Sequence, residues 1–310
     1  MRVLLLGGAG FIGSHLVSTL SLRGEHAVSV LEPASASVES IRHLPIHLHR
    51  GSLSDTELLE SILVQEDIQA VIHLVSTLVP GCGFTDFEKE FEQVVAPSIR
   101  LMELCSKHHV KLVYFSSGGT VYGERSTFDP FTEEDTLAPI SHYGWSKQMM
   151  EESIRYMHRT QGLRYLILRP SNAFGPGQNL HGRQGLIAVA LGKALHKKAV
   201  SVWGDGIAVR DYIYIDDLVY ATLSLLGKEA AFDKTFNVGS GIGYSVNDIL
   251  RILKEVSGLE VSVNYLPARQ EDVSHVVLAI DKIQQIIDFH PLGIQEGIQR
   301  FASFVMDGNA

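Results

Sequence analysis

The chain is poor in cysteine and in long apolar runs, and each scarcity excludes a class of protein. Its 310 residues include only two cysteines, Cys82 and Cys105, too few for the disulfide framework of a small secreted scaffold. No apolar run reaches the roughly 18 residues that a membrane span needs. The first predicted strand begins so early that no signal peptide is expected before it. We therefore expect a cytoplasmic protein that does not enter a membrane.

Basic residues are also in the minority. Lys and Arg total 26 against 35 Asp and Glu, which gives a formal net charge of −9. This balance disfavours nucleic acid and anionic membranes as partners. The sequence contains no spacing typical of metal ligands, so we predict no metal site. A small-molecule enzyme fits the composition best.

The order of predicted elements is that of an α/β protein. Apolar runs alternate with amphipathic stretches through Arg169, which predicts a doubly wound parallel sheet, the Rossmann architecture. The predicted strands are Arg2–Leu6, Ala27–Leu31, Ile46–His49, Ala70–His73, Lys111–Ser116 and Tyr165–Arg169. The predicted helices are Ser14–Arg23, Thr56–Gln65, Phe87–His108 and Tyr143–Gln161. Turn residues cluster after Arg169, which predicts a first domain over residues 1–170 and a smaller C-terminal α/β lobe over 171–310. Residues 216–238 are expected to return to the first domain.

A glycine-rich turn follows the first predicted strand. Gly7, Gly10 and Gly13 have the spacing GxxGxxG, and such a turn between a strand and a helix is typical of dinucleotide binding. The three glycines permit the tight turn, the approach of backbone to a pyrophosphate and close helix packing, in that order. The amides of the helix N-terminus, at Phe11 and Ile12, would face the phosphates.

The residue that ends the second strand indicates which dinucleotide binds. A carboxylate at Glu32 can accept hydrogen bonds from both ribose hydroxyls of NAD and would repel the 2′-phosphate of NADP. The stretch from Pro33 to Ile41 contains no Lys or Arg that could neutralise such a phosphate. We therefore predict NAD as the cofactor.

Tyr143 and Lys147 supply a candidate chemistry. Residues four apart share one face of a helix. An ammonium group near a phenol stabilises the phenolate and lowers its pKa from about 10. A tyrosine tuned in this way can take a proton from a sugar hydroxyl while a hydride leaves the same carbon. The spacing alone is common on exposed helices, so its meaning here depends on the dinucleotide motif.

Several motifs in a fixed order resemble a known family. They are Gly7-Gly8-Ala9-Gly10-Phe11-Ile12-Gly13, Val71-Ile72-His73-Leu74, Val121-Tyr122-Gly123, Tyr143-x-x-x-Lys147, Leu168-Arg169-Pro170-x-Asn172 and Val209-Arg210-Asp211-Tyr212-Ile213. From Val3 to about Phe301 the chain resembles the extended short-chain dehydrogenase/reductases of the nucleotide-sugar epimerase/dehydratase group. Within that group it is most similar to UDP-glucose and UDP-N-acetylglucosamine 4-epimerases, enzymes of polysaccharide biosynthesis. The motifs are specific for the superfamily and much less specific for the substrate.

The resemblance implies a role for each matched residue. Tyr143 would be the acid and base on the sugar 4-hydroxyl, and Lys147 would bind the nicotinamide ribose. Further NAD contacts would come from the glycine motif, Glu32, Ser52, Leu53, Leu74, Val75 and Ser116. Contacts to the UDP-linked sugar would come from Ser117, Gly118, Thr120, Asn172, Phe174, Arg210, Tyr212, Arg269, Asp272 and Val276. Arg210 and Arg269 would bind the two phosphates, since a guanidinium fork suits a diphosphate, and Asp272 the uridine ribose.

Two positions depart from the family pattern. The family often has Gly-Asp-Leu after its third strand, where this chain has Gly51-Ser52-Leu53, so the contact to the adenine amine is weakened or changed. The hydroxyl residue that usually partners the catalytic tyrosine is replaced by Gly118. Either Thr120 or Ser117 takes that role, or Tyr143 works with a water molecule.

The stretch around Gly118 also favours one reaction over others. The related 4,6-dehydratases carry an Asp-Glu pair where this chain has Gly119-Thr120, so elimination lacks its acid and base. This favours an NAD-dependent 4-epimerase that acts through a 4-keto sugar. Two alternatives stay open at this point: a nucleotide-sugar 4-ketoreductase or dehydrogenase, and a catalytically degenerate protein that binds NAD or a nucleotide sugar.

Two further expectations concern assembly and substrate size. The predicted helices Phe87–His108 and Tyr143–Gln161 carry more apolar surface than one sheet face can cover, and in the resembled family such helices form a four-helix bundle, so we expect a homodimer. The resemblance places Val276 beside the sugar C2 position, where enzymes restricted to UDP-glucose and UDP-galactose carry a tyrosine. A valine there predicts that an N-acetyl group is accepted.

Overall fold

We describe a computed structural model of residues 1–24, 26–79, 81–182, 184–268 and 273–308. The chain divides into two compact units. The first unit comprises Met1–Ser117, Ser141–Arg169 and Thr222–Phe236, and the second comprises Gly118–Ile140, Pro170–Ala221 and Asn237–Ala310. The described residues include no helix that is both long and apolar enough to cross a membrane.

The first unit is built on a seven-stranded sheet with the order β10-β6-β5-β4-β1-β2-β3. The strands are β1 (Arg2–Leu6), β2 (Ala27–Glu32), β3 (His47–Arg50), β4 (Ala70–His73), β5 (Lys111–Phe115), β6 (Tyr165–Pro170) and β10 (Lys234–Val238). The pairs from β3 through β6 are all parallel. Four of the predicted strands are buried almost throughout, as expected for a parallel sheet covered on both faces. The prediction of a doubly wound α/β fold is confirmed.

The helices of this unit lie between the strands along the chain. They are α1 (Phe11–Leu22), α2 (Thr56–Gln65), α3 (Phe84–Glu90), α4 (Ala96–Lys107) and α5 (His142–Gln161), and a short 3-10 turn spans Glu229–Ala231. Strand order reverses between β1 and β4, and ligands of such sheets bind at the carboxyl ends of the strands near that reversal.

One predicted helix is interrupted. The stretch predicted as Phe87–His108 consists of α3, a π-helical turn over Phe91–Val95, and α4. Pro97 lies in the first turn of α4 and has no N–H to continue a regular helix, so the chain takes the wider turn there. The Ser98 hydroxyl donates to the Val94 carbonyl at 2.6 Å and binds the His73 ring at 2.8 Å, which ties the turn to the end of β4.

The second unit contains two small sheets. β9 (Val209–Tyr214) pairs with β7 (Asn172–Phe174), β11 (Gly243–Ser245) and β13 (His275–Val276), and β8 (Val200–Trp203) pairs with β12 (Val263–Leu266). The helices are α6 (Leu186–Leu195), α7 (Ile215–Leu226), α8 (Val246–Ser257), α9 (Asp281–Gln284) and α10 (Ile294–Met306). Side chains of α6, α8, α10 and these strands form the core of the unit. The end of α7 and most of β10 belong to the first unit.

The predicted domain boundary needs one correction. The segment Gly118–Ile140 was placed in the first domain but belongs to the second unit. The reason is long-range backbone pairing, because Phe131 forms a bridge with Leu278, and its amide donates to the Val277 carbonyl at 2.8 Å. Such pairing leaves no local signal in the sequence.

Candidate active site

The glycine turn has the geometry that a dinucleotide phosphate requires. Gly7 has a φ of +83°, which favours glycine. A Cβ on Gly13 would lie 2.3 Å from the Gly7 carbonyl oxygen, so the start of α1 can pack there only without a side chain. Gly10 is the N-cap of α1 and provides no side-chain cap. The first amides of α1 therefore have no side-chain cap that would compete with an anion, which fits the pyrophosphate of a dinucleotide.

Glu32 lies at the end of β2 beside this turn. Its carboxylate accepts a hydrogen bond from the Ala9 amide at 2.6 Å. Burial raises the pKa of Glu32, whereas the Ala9 hydrogen bond and the positive charge of Arg50 lower it. A buried carboxylate at this position fits an adenosine ribose that offers hydroxyls.

Arg50 is a residue of this region that the sequence analysis missed. It is in register with Glu32 on the neighbouring strand, and its guanidinium donates to the Ala34 and Ala36 carbonyls at 2.7 and 2.8 Å. Arg50 lies 18 positions after Glu32, outside the stretch that directly follows the carboxylate. Strand pairing brings Arg50 there from β3, and its hydrogen bonds hold the loop after β2.

The other predicted cofactor residues lie at the ends of neighbouring strands. Leu74 and Val75 follow β4, and a Cβ on Gly7 would be 3.4 Å from the Val75 side chain. Leu53 packs against the core, and Ser52 is exposed. Ser116 follows β5, is buried, and donates its amide to the Leu168 carbonyl at 2.8 Å. Parallel strands place these positions along one edge of the sheet.

Tyr143 lies in the first turn of α5. Ser141 begins this helix because its hydroxyl accepts a hydrogen bond from the Gly144 amide at 3.1 Å. The Ser117 side chain lowers the pKa of the Tyr143 phenol through hydrogen bonding, against the larger effect of burial. Ser117 is one of the two hydroxyl residues that could replace the missing partner at Gly118, and its role stays a prediction.

The predicted lowering of the Tyr143 pKa is not found in the ligand-free protein. Burial raises the pKa of Tyr143 to about 12; the Ser117 hydrogen bond lowers it, and the negative charge of Glu90 raises it further. The Lys147 Nζ lies 5.6 Å from the centre of the Tyr143 ring and donates instead to the Phe115 carbonyl at 3.0 Å. The lysine ammonium is thus directed at the end of β5 rather than at the phenol.

Lys147 is itself almost completely buried. Burial lowers its pKa to about 8, and the carboxylates of Glu90 and Glu151 counteract this effect. Glu151 forms a buried ion pair with Arg169, whose Nε and Nη2 donate to its two oxygens at 2.9 and 2.7 Å. None of Glu90, Glu151 and Arg169 was predicted as a site residue. A charged residue within the apolar run of β6, Arg169, was the sequence signal that could have pointed to this network.

Among the described residues of the second unit that were predicted to bind the sugar, Asn172 is the most exposed polar side chain. Asn172 is exposed, and its amide nitrogen donates to the Asp211 carbonyl at 2.8 Å. Gly119 faces it, since a Cβ there would lie 3.8 Å from the Asn172 amide nitrogen. The Thr120 Oγ1 is buried and has no hydrogen-bond partner among the described residues. Gly118 is buried and donates its amide to the Pro170 carbonyl at 2.8 Å.

Of the two arginines predicted to bind the phosphates, Arg210 is among the residues that the structure describes. It is partly exposed on β9, and its Nη1 donates to the Val209 carbonyl at 2.9 Å. Its neighbour Asp211 is buried and accepts hydrogen bonds from Ser240, Gly241 and Leu278. Arg269 and Asp272 lie outside the described residues.

Three predicted sugar contacts have side chains that are largely buried. Phe174 is 3% exposed and packs against Tyr214, and Tyr212 is 6% exposed in the same cluster. Val276 is 2% exposed and packs among Val121, Tyr122, Phe131, Val273 and Leu278. Their exposure is of the same order as that of Lys147 and Glu32, at 4% and 5%. Their roles as sugar contacts, and the size argument based on Val276, stay predictions.

Comparisons with known proteins agree with this geometry. The model of the NAD dependent epimerase/dehydratase family matches residues 3–239. The chain belongs to this family. The relatives include a putative UDP-glucose 4-epimerase of Methanocaldococcus jannaschii, 30% identical over 99% of each chain. They also include a dTDP-4-dehydro-6-deoxyglucose reductase of Escherichia coli, 30% identical over 96% of this chain and 95% of that one.

Among solved structures, the chain is similar to the UDP-glucose 4-epimerase of Thermotoga maritima in complex with UDP-glucose. The two share 31% identity over the whole of both chains, with a TM-score of 0.93. Membership of the epimerase/dehydratase family confirms the predicted resemblance, the fold class and NAD as the cofactor. The family includes both epimerases and dehydratases, so the reaction must be argued from the site.

Proposed function

We propose that the protein is an NAD-dependent nucleotide-sugar 4-epimerase that acts on a UDP-hexose or a UDP-N-acetylhexosamine. The observation that carries the proposal is the group formed by Ser117, Tyr143 and Lys147 in the first unit. It combines a phenol that is hydrogen-bonded to a hydroxyl with a buried lysine on the same helix face. Relatives named UDP-glucose 4-epimerase cover nearly the whole chain and support the choice of substrate class.

Tyr143 performs the proton transfers in this proposal. In its deprotonated form, which a positive charge close to the phenol would favour, Tyr143 accepts the proton of the sugar 4-hydroxyl while the C4 hydride leaves, which produces a 4-keto sugar. NAD⁺, when bound, supplies the acceptor for that hydride and afterwards returns it. Return to the opposite face of C4, with Tyr143 giving its proton back to the oxygen, yields the epimer without net oxidation. Ser117 orients the phenol through its hydrogen bond, and Lys147 would hold the nicotinamide ribose.

The residues beside Asn172 argue against dehydration of the sugar. Removal of water across C5 and C6 needs an acid and a base near those carbons. Gly118, Gly119 and Thr120 offer no carboxylate, and Gly119 presents no side chain to the Asn172 amide, which a Cβ there would contact at 3.8 Å. The sugar therefore meets small and neutral groups in this segment. Such surroundings suit a 4-keto sugar that must rotate in the site between the two hydride transfers, so that its other face receives the hydride.

A 4-ketoreductase is the second candidate. The dTDP-4-dehydro-6-deoxyglucose reductase of Escherichia coli and the putative UDP-glucose 4-epimerase of Methanocaldococcus jannaschii are each 30% identical to this chain. A reductase needs the same tyrosine, which would give a proton to the 4-oxygen as hydride arrives at C4. It would consume NADH and release the reduced sugar, whereas an epimerase regenerates its cofactor in every cycle.

One set of incubations separates the candidates. The protein is mixed with UDP-glucose, UDP-galactose or the two N-acetylated counterparts, without added cofactor, and the nucleotide sugars are separated by chromatography. Interconversion at C4 without accumulation of NADH supports the epimerase. In a separate incubation with added NADH, turnover of a 4-keto-6-deoxy nucleotide sugar with stoichiometric loss of NADH absorbance, together with no conversion of the four UDP-sugars, supports the reductase. Binding without either reaction supports a catalytically degenerate member.

We also propose that the protein forms a homodimer through α3, the π-helical turn and α5. Phe84, Phe91 and Trp145 are 57%, 40% and 44% exposed on these elements. Phe87 stacks on Trp145 with 4.5 Å between ring centres and lies 6.0 and 6.5 Å from the rings of Phe84 and Phe91, so the aromatic side chains form one connected group. Phe87 itself is buried, whereas the other three rings stay partly exposed. A two-fold contact would bury both copies of the same surface.

A further inference from the structure

Glu90 is a buried carboxylate to which the mechanism above gives no role. It is the last residue of α3, directly before the π-helical turn, and only 1% of its surface is exposed. It accepts hydrogen bonds from the Ser76 hydroxyl at 2.9 Å, the Thr77 amide at 2.8 Å and the Thr77 hydroxyl at 2.6 Å. All three donors are neutral.

The absence of a cationic partner is unusual for a group so deeply buried. Among the described residues, no Lys, Arg or His forms an ion pair with Glu90, and isolated charges in a protein interior are costly. Apolar or amide side chains of similar size would fill the position at lower cost. A buried carboxylate without an ion-pair partner suggests that it stabilises a positive charge elsewhere in the same interior.

Lys147 is the buried cation at the same edge of the sheet. Its Nζ donates to the Phe115 carbonyl at the end of β5, which pairs with β4, and Glu90 is bound by Ser76 and Thr77 just after β4. The helices that carry the two residues, α3 and α5, pack against each other.

The ionisable neighbours of Lys147 on each surrounding element are Glu90 on α3, Tyr143 and Glu151 on α5, Tyr114 on β5 and His73 on β4. Burial keeps Tyr114 and His73 neutral, because it raises the pKa of the tyrosine and lowers that of the histidine to about 3.

Glu151 cannot serve Lys147 alone, because two guanidinium groups already neutralise it. Arg169 binds both of its oxygens, and Arg155 donates to one of them at 2.7 Å. Arg155 also donates to Glu152 at 2.7 Å, so the cluster of two arginines and two glutamates is neutral and leaves no net negative charge for Lys147. Glu90 is thus the carboxylate near Lys147 that has no cation of its own among the described residues.

We propose that Glu90 is the buried counter-charge of Lys147, a positioning residue that keeps the lysine in its ammonium form inside the protein. The proposal rests on the role given above to Lys147, which binds the nicotinamide ribose as a cation. Ser76 and Thr77 hold the carboxylate in place at the end of β4. Without that charge, burial would drive Lys147 towards the neutral amine at a lower pH.

The test measures NAD affinity against pH from 6 to 9.5 on the NAD-free protein, by calorimetry, so that no turnover is needed. Wild-type affinity should decrease above the pKa of Lys147. In Glu90→Gln, which keeps size and shape, this decrease should begin about one pH unit lower, because a unit charge at this range and depth shifts a pKa by about that much. At pH 8 the variant should bind NAD about fivefold more weakly, and at pH 6 it should nearly match the wild type.

Two controls separate charge from structure. Glu88→Gln removes an exposed carboxylate from the same helix and should leave the profile unchanged. In a Lys147→Arg background the cation keeps its charge at every pH, so adding Glu90→Gln should not move the profile. An unmoved profile in Glu90→Gln, or an equal loss of affinity at all pH values, overturns the proposal.

A second measurement applies if Glu90→Gln is too unstable for binding studies. Glu90→Gln is then made in a Lys147→Met background, and thermal stability is compared in the form of a double-mutant cycle. If Glu90 is the counter-charge, the glutamine variant destabilises the protein less when the lysine is already gone. Equal destabilisation in both backgrounds overturns the proposal. A wild-type protein that binds NAD but epimerises no sugar would refute the proposed function and leave this test intact.

Discussion

Arg169 and Glu151 form a fork-to-fork ion pair in the interior of the first unit, with one residue on β6 and the other on α5. Both side chains are at most 1% exposed. The pair fixes the helix that carries Tyr143 and Lys147 against the strand that leads towards Asn172. The positions of Tyr143 and Lys147 relative to β6 therefore depend on this ion pair.

The first prediction concerns removal of one partner. Arg169→Met should lower the free energy of unfolding by about 3–5 kcal/mol, because it leaves the Glu151 carboxylate buried without its main partner. Chemical denaturation at pH 7 measures this change. Arg155→Met, which removes the partly exposed partner of Glu151, is the matched control and should cost clearly less.

The same pair makes stability depend on pH. Arg169 holds the pKa of Glu151 below its ordinary value although burial opposes this. The stabilisation is therefore complete above the unfolded-state pKa of about 4.3 and is lost as pH falls through the folded-state pKa. Denaturation at pH 7 and pH 4 should show a larger difference between wild type and Arg169→Met at pH 7. An equal difference at both values would contradict the assignment.

The second prediction concerns the chemical step. Tyr143→Phe should abolish turnover and leave NAD affinity nearly unchanged, because only the proton-transferring hydroxyl is removed. Lys147→Ala should reduce both the rate and the NAD affinity. Steady-state kinetics and calorimetry measure the two effects. A Tyr143→Phe enzyme with a near wild-type rate would refute the mechanism.

The third prediction concerns the partner of Tyr143. Ser117→Ala should lower kcat by about 10- to 100-fold, because it removes the hydroxyl that is bonded to the phenol. Thr120→Val is the matched control, since its hydroxyl is buried without a partner among the described residues. A larger kcat loss in Thr120→Val would show that binding of the sugar exchanges the two hydroxyls. If neither variant loses activity, a water molecule is the partner.

The fourth prediction concerns Val276 and tests its burial against the argument that its size decides which sugars are accepted. Val276→Tyr should destabilise the protein by about 1–3 kcal/mol, because the ring must enter a closed cluster of side chains. It should lower activity on plain and N-acetylated sugars by the same factor, and melting temperatures and the two activities measure this. A selective loss of the N-acetylated pair, with unchanged stability, would support the size argument.

The fifth prediction concerns the dimer. Trp145→Ser combined with Phe91→Ser should convert the protein to a monomer at micromolar concentration, as measured by sedimentation velocity. Phe128→Ser is the control, because Phe128 is even more exposed, at 79%, but lies in the second unit. A wild-type protein that sediments as a monomer would refute the proposed interface.

The sequence by itself determined the doubly wound sheet of the first unit and NAD as the cofactor. Strand periodicity, the Gly7–Gly13 turn and the carboxylate at Glu32 are local signals, because a parallel sheet buries short apolar runs and a dinucleotide turn lies within one strand and one helix. The Tyr143 and Lys147 pair is local in the same sense, since helical geometry alone puts both on one face.

Only the tertiary structure decided the groups that tune this site. Arg50 reaches Glu32 through strand pairing, Arg169 reaches Glu151 across a sheet and helix, and Glu90 comes near Lys147 because α3 packs beside α5. It also buried Val276 among side chains such as Val121, Tyr122 and Phe131, which are distant in the sequence. Burial and long-range charge are properties of packed surfaces. They appear only when distant segments meet, and they decide which of the predicted side chains a ligand can reach.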